Sequence, residues 1–396
     1  MLDLSQLQAQ MADFNAYQAD LEERRAEQLR WARRGLAEAA EGWQPLRTEV
    51  ERAQPRQLVA GMREAPDQTY APAERPTPMT VVATDGSQIY PDRHIEPTCY
   101  LVNVSRIAFQ YGTTEAPVME AEPRFRYRQA GLDREDDDPD AAADLHFDDE
   151  LGTMTTEVVS AIRDEWELKD LLAVARAAQT KGRPLLALAD GTLIRWMIRG
   201  MRNRELEQRL IQRYTALLKQ FMADRLPLAS YISMPGNTEV IHLLQFYFDR
   251  FAEERPEVPL DGLVDRRLFA ATLAPGERSA VFASASHIQG DYPEGNKICY
   301  FYVRIPNRAG DEIGRVEIPE WVADEPELLD RVHGTLLSEC DKGDGYPMIL
   351  SEAHERAVIR GPERELFYRL LERSLQDAGQ PVNTSSKHAS KQVPRV

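Results

Sequence analysis

Two short apolar runs in this sequence each deliver an aspartate followed by glycine. Val81, Val82 and Ala83 lead to Asp85-Gly86, and Leu185 to Ala189 lead to Asp190-Gly191. Runs of this length and composition predict buried strands. If the two strands are neighbours, both carboxylates lie at the same end of one sheet. Close carboxylates repel unless a cation sits between them, and hard ions such as Mg²⁺ and Mn²⁺ take oxygen ligands of this kind. Asp-Gly is also an ordinary turn pair, so a purely structural reading stays open.

The elements around the pair predict the sheet. The stretches TCYLVNVSRIAFQYG and Val118–Tyr127 have strand character, and with MTVVATDGSQ they predict an antiparallel meander. Residues 151–178 read as a helix, 201–224 as a basic amphipathic helix, LASYISMPG as a further strand and 238–252 as a helix. Strand, strand, strand, helix, strand, helix, strand, helix predicts a mixed α/β sheet flanked by helices, the order of a ribonuclease H-like core. SAVFAS, KICYFYVRIP and GRVEIP then read as strands, and 325–340, 347–359 and 362–378 as helices.

Outside the core, residues 1–53 read as an N-terminal helical arm, 54–79 as a linker, 80–380 as the main domain and 381–396 as a basic tail. The arm packs on its own domain or meets a partner; its pattern allows both. The expected location is the cytoplasm: no apolar run reaches the roughly 20 residues of a membrane span, and MLDLSQLQAQ lacks the basic and apolar regions of a signal peptide. The three cysteines, Cys99, Cys299 and Cys340, are too few and too scattered for a disulfide framework or zinc cluster and read as buried thiols.

A net charge of −17 argues against nucleic acid until its distribution is read. Residues 133–150, an expected acidic loop, hold ten acids and one base; residues 181–219 hold nine bases and three acids. A polyanion could therefore meet the basic stretch while the acidic loop lies elsewhere. Arg195, Arg199, Arg202 and Arg204 are the candidate phosphate contacts, and a solvated helix face is the plain alternative.

A third acid comes from helix 151–178. Glu167 lies close to its apolar face, whereas Glu165 reads as more solvent-directed. His354, on the helix LSEAHERAVI, is a metal ligand, an aid to the attacking water, or an ordinary structural histidine. Tyr231, in SYISMPGN, contacts a phosphate or fills the core. ADGTL resembles a haloacid dehalogenase-type phosphatase signature, but Leu188 and Ala83 stand where the nucleophilic Asp is needed, so no aspartyl-phosphate forms by that route.

TDGSQIYP, IRDEWELKDLL, LLALADGTLI, YISMPGNTEVIHLL, APGERSAVF, YPMILSEAHERAVI and SSKHASK, in this order, resemble the motifs of the NurA nucleases, prokaryotic DNA-end-processing enzymes that work with the HerA ATPase. The resemblance spans about residues 80 to 392. It implies a ribonuclease H-like fold and a Mn²⁺-dependent phosphodiesterase, with Mg²⁺ as an alternative. It implies a toroidal homodimer that threads DNA and docks on a hexameric HerA-type ATPase. The implied activities are 5′-to-3′ exonuclease and single-strand endonuclease in end resection and double-strand break repair. Asp85, Glu167, Asp190, Tyr231 and His354 match the family's active-site positions, with Asp85, Glu167, Asp190 and His354 as metal ligands. Two other readings are a non-catalytic adaptor of a DNA-translocating ATPase and a metal-dependent phosphatase of small esters.

Overall fold

The computed structural model describes residues 4–91, 98–127, 155–179, 182–201 and 203–379. The acidic loop 133–150, the tail 381–396 and Arg202 lie outside these residues. The chain divides into two compact units. One comprises Met1–Arg75, Gly191–Ile194 and Ala229–Pro347, the other Pro76–Asp190, Arg195–Leu228 and Met348–Val396.

The first unit opens with two helices, α1 (Leu4–Glu41) and α2 (Trp43–Ala53). The second half of α1 packs within its own unit. Ala32, Leu36 and Ala39 join Val240, Leu244 and Phe248 of α5 (Glu239–Arg250) in one buried cluster. Gly35 does not break the helix; a Cβ there would lie 2.6 Å from the Phe248 ring, so the absent side chain lets the two helices approach. Leu4, Met11, Phe14 and Tyr17 of the first half are exposed. The sheet of this unit is antiparallel throughout, in the order β1 (Gly61–Met62), β9 (Phe282–Ala283), β10 (Ile298–Ile305), β11 (Glu312–Pro319), β7 (Leu228–Ile232). Short β2 (Thr69–Tyr70) and β8 (Arg278–Ser279) pair with each other, and β8 pairs with β10. Helices α6 (Asp265–Thr272), α7 (Glu320–Ala323) and α8 (Pro326–Lys342) complete it.

An ionic group is buried in this unit. Arg315, wholly inaccessible, pairs with Glu317 and Glu239 at 3.0 Å each, and its guanidinium lies over the Tyr300 ring. Glu317 also accepts from Thr192 Oγ1 at 2.8 Å and the Leu193 amide at 2.9 Å. Buried charges persist where opposite charges and hydrogen bonds offset the cost of leaving water.

The second unit holds the expected meander. Strands β3 (Met79–Ile89), β4 (Cys99–Tyr111) and β5 (Val118–Tyr127) pair antiparallel in succession, and β6 (Leu185–Asp190) adds parallel to β3. The result is a mixed sheet, with α3 (Thr156–Gln179) and α9 (Met348–Ala357) packed against it and α4 (Arg204–Ala223) against α3. Helix α10 (Gly361–Asp377) follows. The succession β3, β4, β5, α3, β6, α4, β7, α5 is the one expected of a ribonuclease H-like core.

Alternation along β3 assigns its faces. Thr84 donates to the Glu167 carbonyl of α3, whereas Ser87 reaches the Ala357 carbonyl of α9. Even-numbered residues here face α3 and odd-numbered ones face α9. Asp170 ties α3 to the meander, accepting from Arg106 at 2.8 Å and Arg124 at 2.8 and 2.9 Å. Ser105 donates to the Ala353 carbonyl at 2.8 Å and fixes α9 on the opposite face. The three cysteines are free and buried. Among the described residues, no helix is long and apolar enough to cross a membrane.

Candidate active site

Asp85 is not at a strand end. Strand β3 continues four residues past it to Ile89, and Gly86 pairs with Val104 of β4 rather than turning. The expected turn fails because the polar residues Ser87 and Gln88 still meet the long β4 strand, and backbone pairing overrides their local preference. Asp190 does end its strand, and Gly191 follows with φ +73°. The two acids are nevertheless level. β3 and β6 run in parallel register from Thr80↔Leu185 to Ala83↔Leu188. Two residues further, that register sets Asp85 beside Asp190. Asp85 lies on the α9 face, and Asp190 is exposed.

His354 of α9 meets Asp85 there. Its Nδ1 lies 2.9 Å from Asp85 Oδ2, while Asp85 Oδ1 accepts the Gly86 amide at 2.8 Å. The histidine side chain is 63 % exposed, so it is no buried core residue.

Glu167 approaches the strand at the next residue, Gly86, from the other face. An added Cβ on Gly86 would stand 2.6 Å from Glu167 Oε1 and 2.8 Å from Arg163 Cγ. Gly86 therefore leaves an opening through which α3 brings a carboxylate against the strand beside Asp85. Burial first, and the neighbouring Asp164 next, push the Glu167 carboxyl well above its ordinary range; Arg163 opposes them and Asp85 adds to them. Its Oε1 is buried with no hydrogen bond, although Arg163 Nε stands 3.1 Å away as an ion pair. Arg163 also reaches Asp164 at 2.8 Å, and Asp164 takes Arg195 at 3.1 Å.

Glu165 is excluded from this group. Expected toward solvent, it is instead 6 % exposed and accepts two bonds from Arg213 of α4, at 2.9 and 2.6 Å. Its partner lies 48 residues away, beyond any local pattern. Tyr231 belongs to the first unit, where it is wholly buried with its ring edge-on to Tyr346 and against Gly314; it fills the core.

The arginines divide. Helix α4 begins at Arg204, not at 201, because the Asn203 side chain caps it by accepting from the Glu205 and Leu206 amides. Arg195 and Arg199 thus lie before the helix. Arg195 is committed to Asp164 and lies over the Tyr214 ring. Arg199 and Arg204 are 42 % and 74 % exposed, and both pair with the buried Glu207.

Among the described residues, no three His, Cys, Asp or Glu side chains are gathered closely enough to hold an ion as they stand. The donor chemistry nonetheless fits a hard divalent cation. Asp85, Glu167 and Asp190 supply only oxygen, and the buried Glu167 Oε1 makes no hydrogen bond, only the ion pair with Arg163.

A model of the NurA domain matches residues 79–359. The chain belongs to the NurA family. Similar solved structures include the crystal structure of the NurA nuclease from Sulfolobus solfataricus, 16 % identical, with a TM-score of 0.47; the match covers 78 % of this chain and 88 % of that one. Another is LC9-RNase H1, a type 1 RNase H with the type 2 active-site motif. It is 13 % identical, the match covers 44 % of this chain and 72 % of that one, and the TM-score is 0.20. No curated protein matches. The sequence does not single out Gly86: in this NurA-family chain it lets the Glu167 side chain approach β3, and its place inside a paired strand is visible only once β4 is laid beside it.

Proposed function

We propose that this NurA-family nuclease is a metal-dependent deoxyribonuclease whose centre is Asp85, Glu167 and Asp190, with His354 beside them. The observation that carries the reading is the half-buried Glu167 carboxylate, its Oε1 buried, packed at Gly86 next to the Asp85–His354 pair. Asp85, Glu167 and Asp190 would hold Mn²⁺ or Mg²⁺, which when bound activates water and neutralises charge building on a phosphate. His354 turns its Nδ1 to Asp85. With the proton on that nitrogen, Nε2 is an acceptor able to take a proton from water. Asp85 thus orients the imidazole, and Arg163 pairs with the Glu167 carboxylate.

Family membership supports the finer reading: DNA as substrate, 5′-to-3′ exonuclease and single-strand endonuclease activity, a homodimer, and a hexameric HerA-type ATPase as partner in end resection. The test is linear DNA with Mn²⁺, with and without that ATPase, using Asp85→Ala as control. Cleavage by the native chain and a loss of at least about a hundredfold in the variant are expected. Equal cleavage by the variant would remove Asp85 from the site.

A further inference from the structure

The segment between β6 and α4 holds an indole in solvent. Trp196 and Met197 are 59 % and 72 % exposed, side by side on the short turn Trp196–Ile198. Hiding side chains of this size stabilises a fold, so a free segment would tend to fold them inward. This segment is held instead. Before the turn, Arg195 is tied to Asp164 at 3.1 Å and lies over the Tyr214 ring at 4.6 Å. Within it, Ile198 is buried. After it, Gly200 at φ +90° donates to Glu207 Oε2 at 3.0 Å, and Arg199 pairs with Glu207 Oε1 at 3.1 Å. A pinned turn that keeps two large apolar side chains exposed presents a contact surface.

Charge and position identify what it contacts. The exposed neighbours Arg199 and Arg204 are cationic, as suits a polyanion. The anchor is shared with the active site: Asp164, which holds Arg195, also holds Arg163, and Arg163 pairs with Glu167. A strand with its phosphate at the carboxylates therefore has further nucleotides within reach of the turn. The flat, apolar part of such a strand is its base. In a duplex the base faces are already stacked, so only an unpaired base offers one, and stacking on an aromatic side chain needs no particular sequence.

We propose that Trp196 is a stacking platform for an unpaired nucleobase next to the scissile phosphate, with Met197 against the same nucleotide and Arg199 and Arg204 on the backbone. The proposal rests on the nuclease reading above. It makes Trp196 a specificity-determining residue that favours single-stranded or frayed DNA over paired DNA.

The experiment measures binding by fluorescence anisotropy in metal-free buffer, so that no strand is cut. Three ligands of equal length are compared: single-stranded DNA, the same backbone with abasic sites throughout, and duplex DNA. The native chain is expected to prefer the strand with bases. Trp196→Ala is expected to weaken that complex about 5- to 100-fold while changing abasic and duplex binding by less than about twofold, and Trp196→Phe to retain most of the preference. An equal loss on all three ligands, no loss on any, or no binding by the native chain overturns the proposal. So does a changed association state in sedimentation with base preference intact, which would make the turn a protein interface. A separate cleavage assay with Mn²⁺ keeps the two readings apart. Base-dependent binding without cleavage overturns the nuclease and leaves the platform, whereas cleavage with an indifferent Trp196→Ala does the reverse.

Discussion

Two glycines follow the two aspartates, and the structure gives them different tasks. At Gly191 the backbone takes φ +73° and no atom stands near an added Cβ. Alanine there meets only the left-handed backbone penalty, about 1 kcal/mol. At Gly86 the strand is regular, and the crowding comes from Glu167 Oε1 at 2.6 Å and Arg163 Cγ at 2.8 Å. Gly86→Ala is therefore expected to push the third carboxylate away from Asp85. DNA cleavage should fall by at least tenfold, with an overpacking cost of about 1–3 kcal/mol in thermal unfolding. Cleavage kinetics and melting curves on both variants check the contrast. If Gly86→Ala cleaves like the native chain, Glu167 does not act through that opening. The Asp-Gly pairs were legible in the sequence, but the identical dipeptides concealed the difference because it depends on which element lies across each one.

The segment from Arg195 to Ala223 shows which parts of an element local pattern reveals. The basic amphipathic helix was readable from its period, and its buried residues Leu206, Leu210, Ile211, Tyr214 and Leu218 confirm the face. Its start was not, because the pinned turn before it depends on Glu207, a residue that composition alone marks as a surface acid. Glu207 is 1 % exposed and accepts from the Gly200 amide, Arg199 and Arg204. Glu207→Ala leaves those donors without this acceptor, at an expected cost of about 1–3 kcal/mol. The loss should appear as a lower melting temperature together with faster amide exchange at Gly200. Unchanged exchange would mean that the turn is held by other contacts. Pairing partners far apart in sequence hide other features in the same way: Arg213 draws Glu165 inward, and β4 keeps Asp85 inside its strand.

For the molecule as a whole, the alternation along the chain of segments from the two compact units escapes a sequence reading, since hydrophobic period reports which face of a segment is buried and not which unit buries it. The first unit contains two groups whose titrations oppose each other. Asp265 is wholly buried, and its carboxyl is pushed up to about 6 by that burial, against the hydrogen bonds it accepts from the Ile241 and Val240 amides and the Tyr302 hydroxyl. An unfolded Asp releases its proton near 3.8. The folded state thus binds more protons between about pH 4 and 6, and the stability this supplies is lost as pH rises through that window. His333 has the reverse sign. Burial lowers it to about 4 despite its bond to the Gly276 carbonyl at 2.8 Å, while the unfolded histidine titrates near 6.5. The unfolded state binds more protons there, so stability rises with pH over nearly the same interval. Asp265→Asn removes the falling contribution, and its stability relative to the native chain should increase from pH 4 to 6 by about 2 kcal/mol. His333→Gln removes the rising contribution and should drift the other way. The comparison is made by calorimetric unfolding at several pH values for all three proteins. Profiles that stay parallel would show that neither group changes its proton affinity on folding, whereas opposite drifts, each set against the native curve, would place the compensation in these two buried side chains.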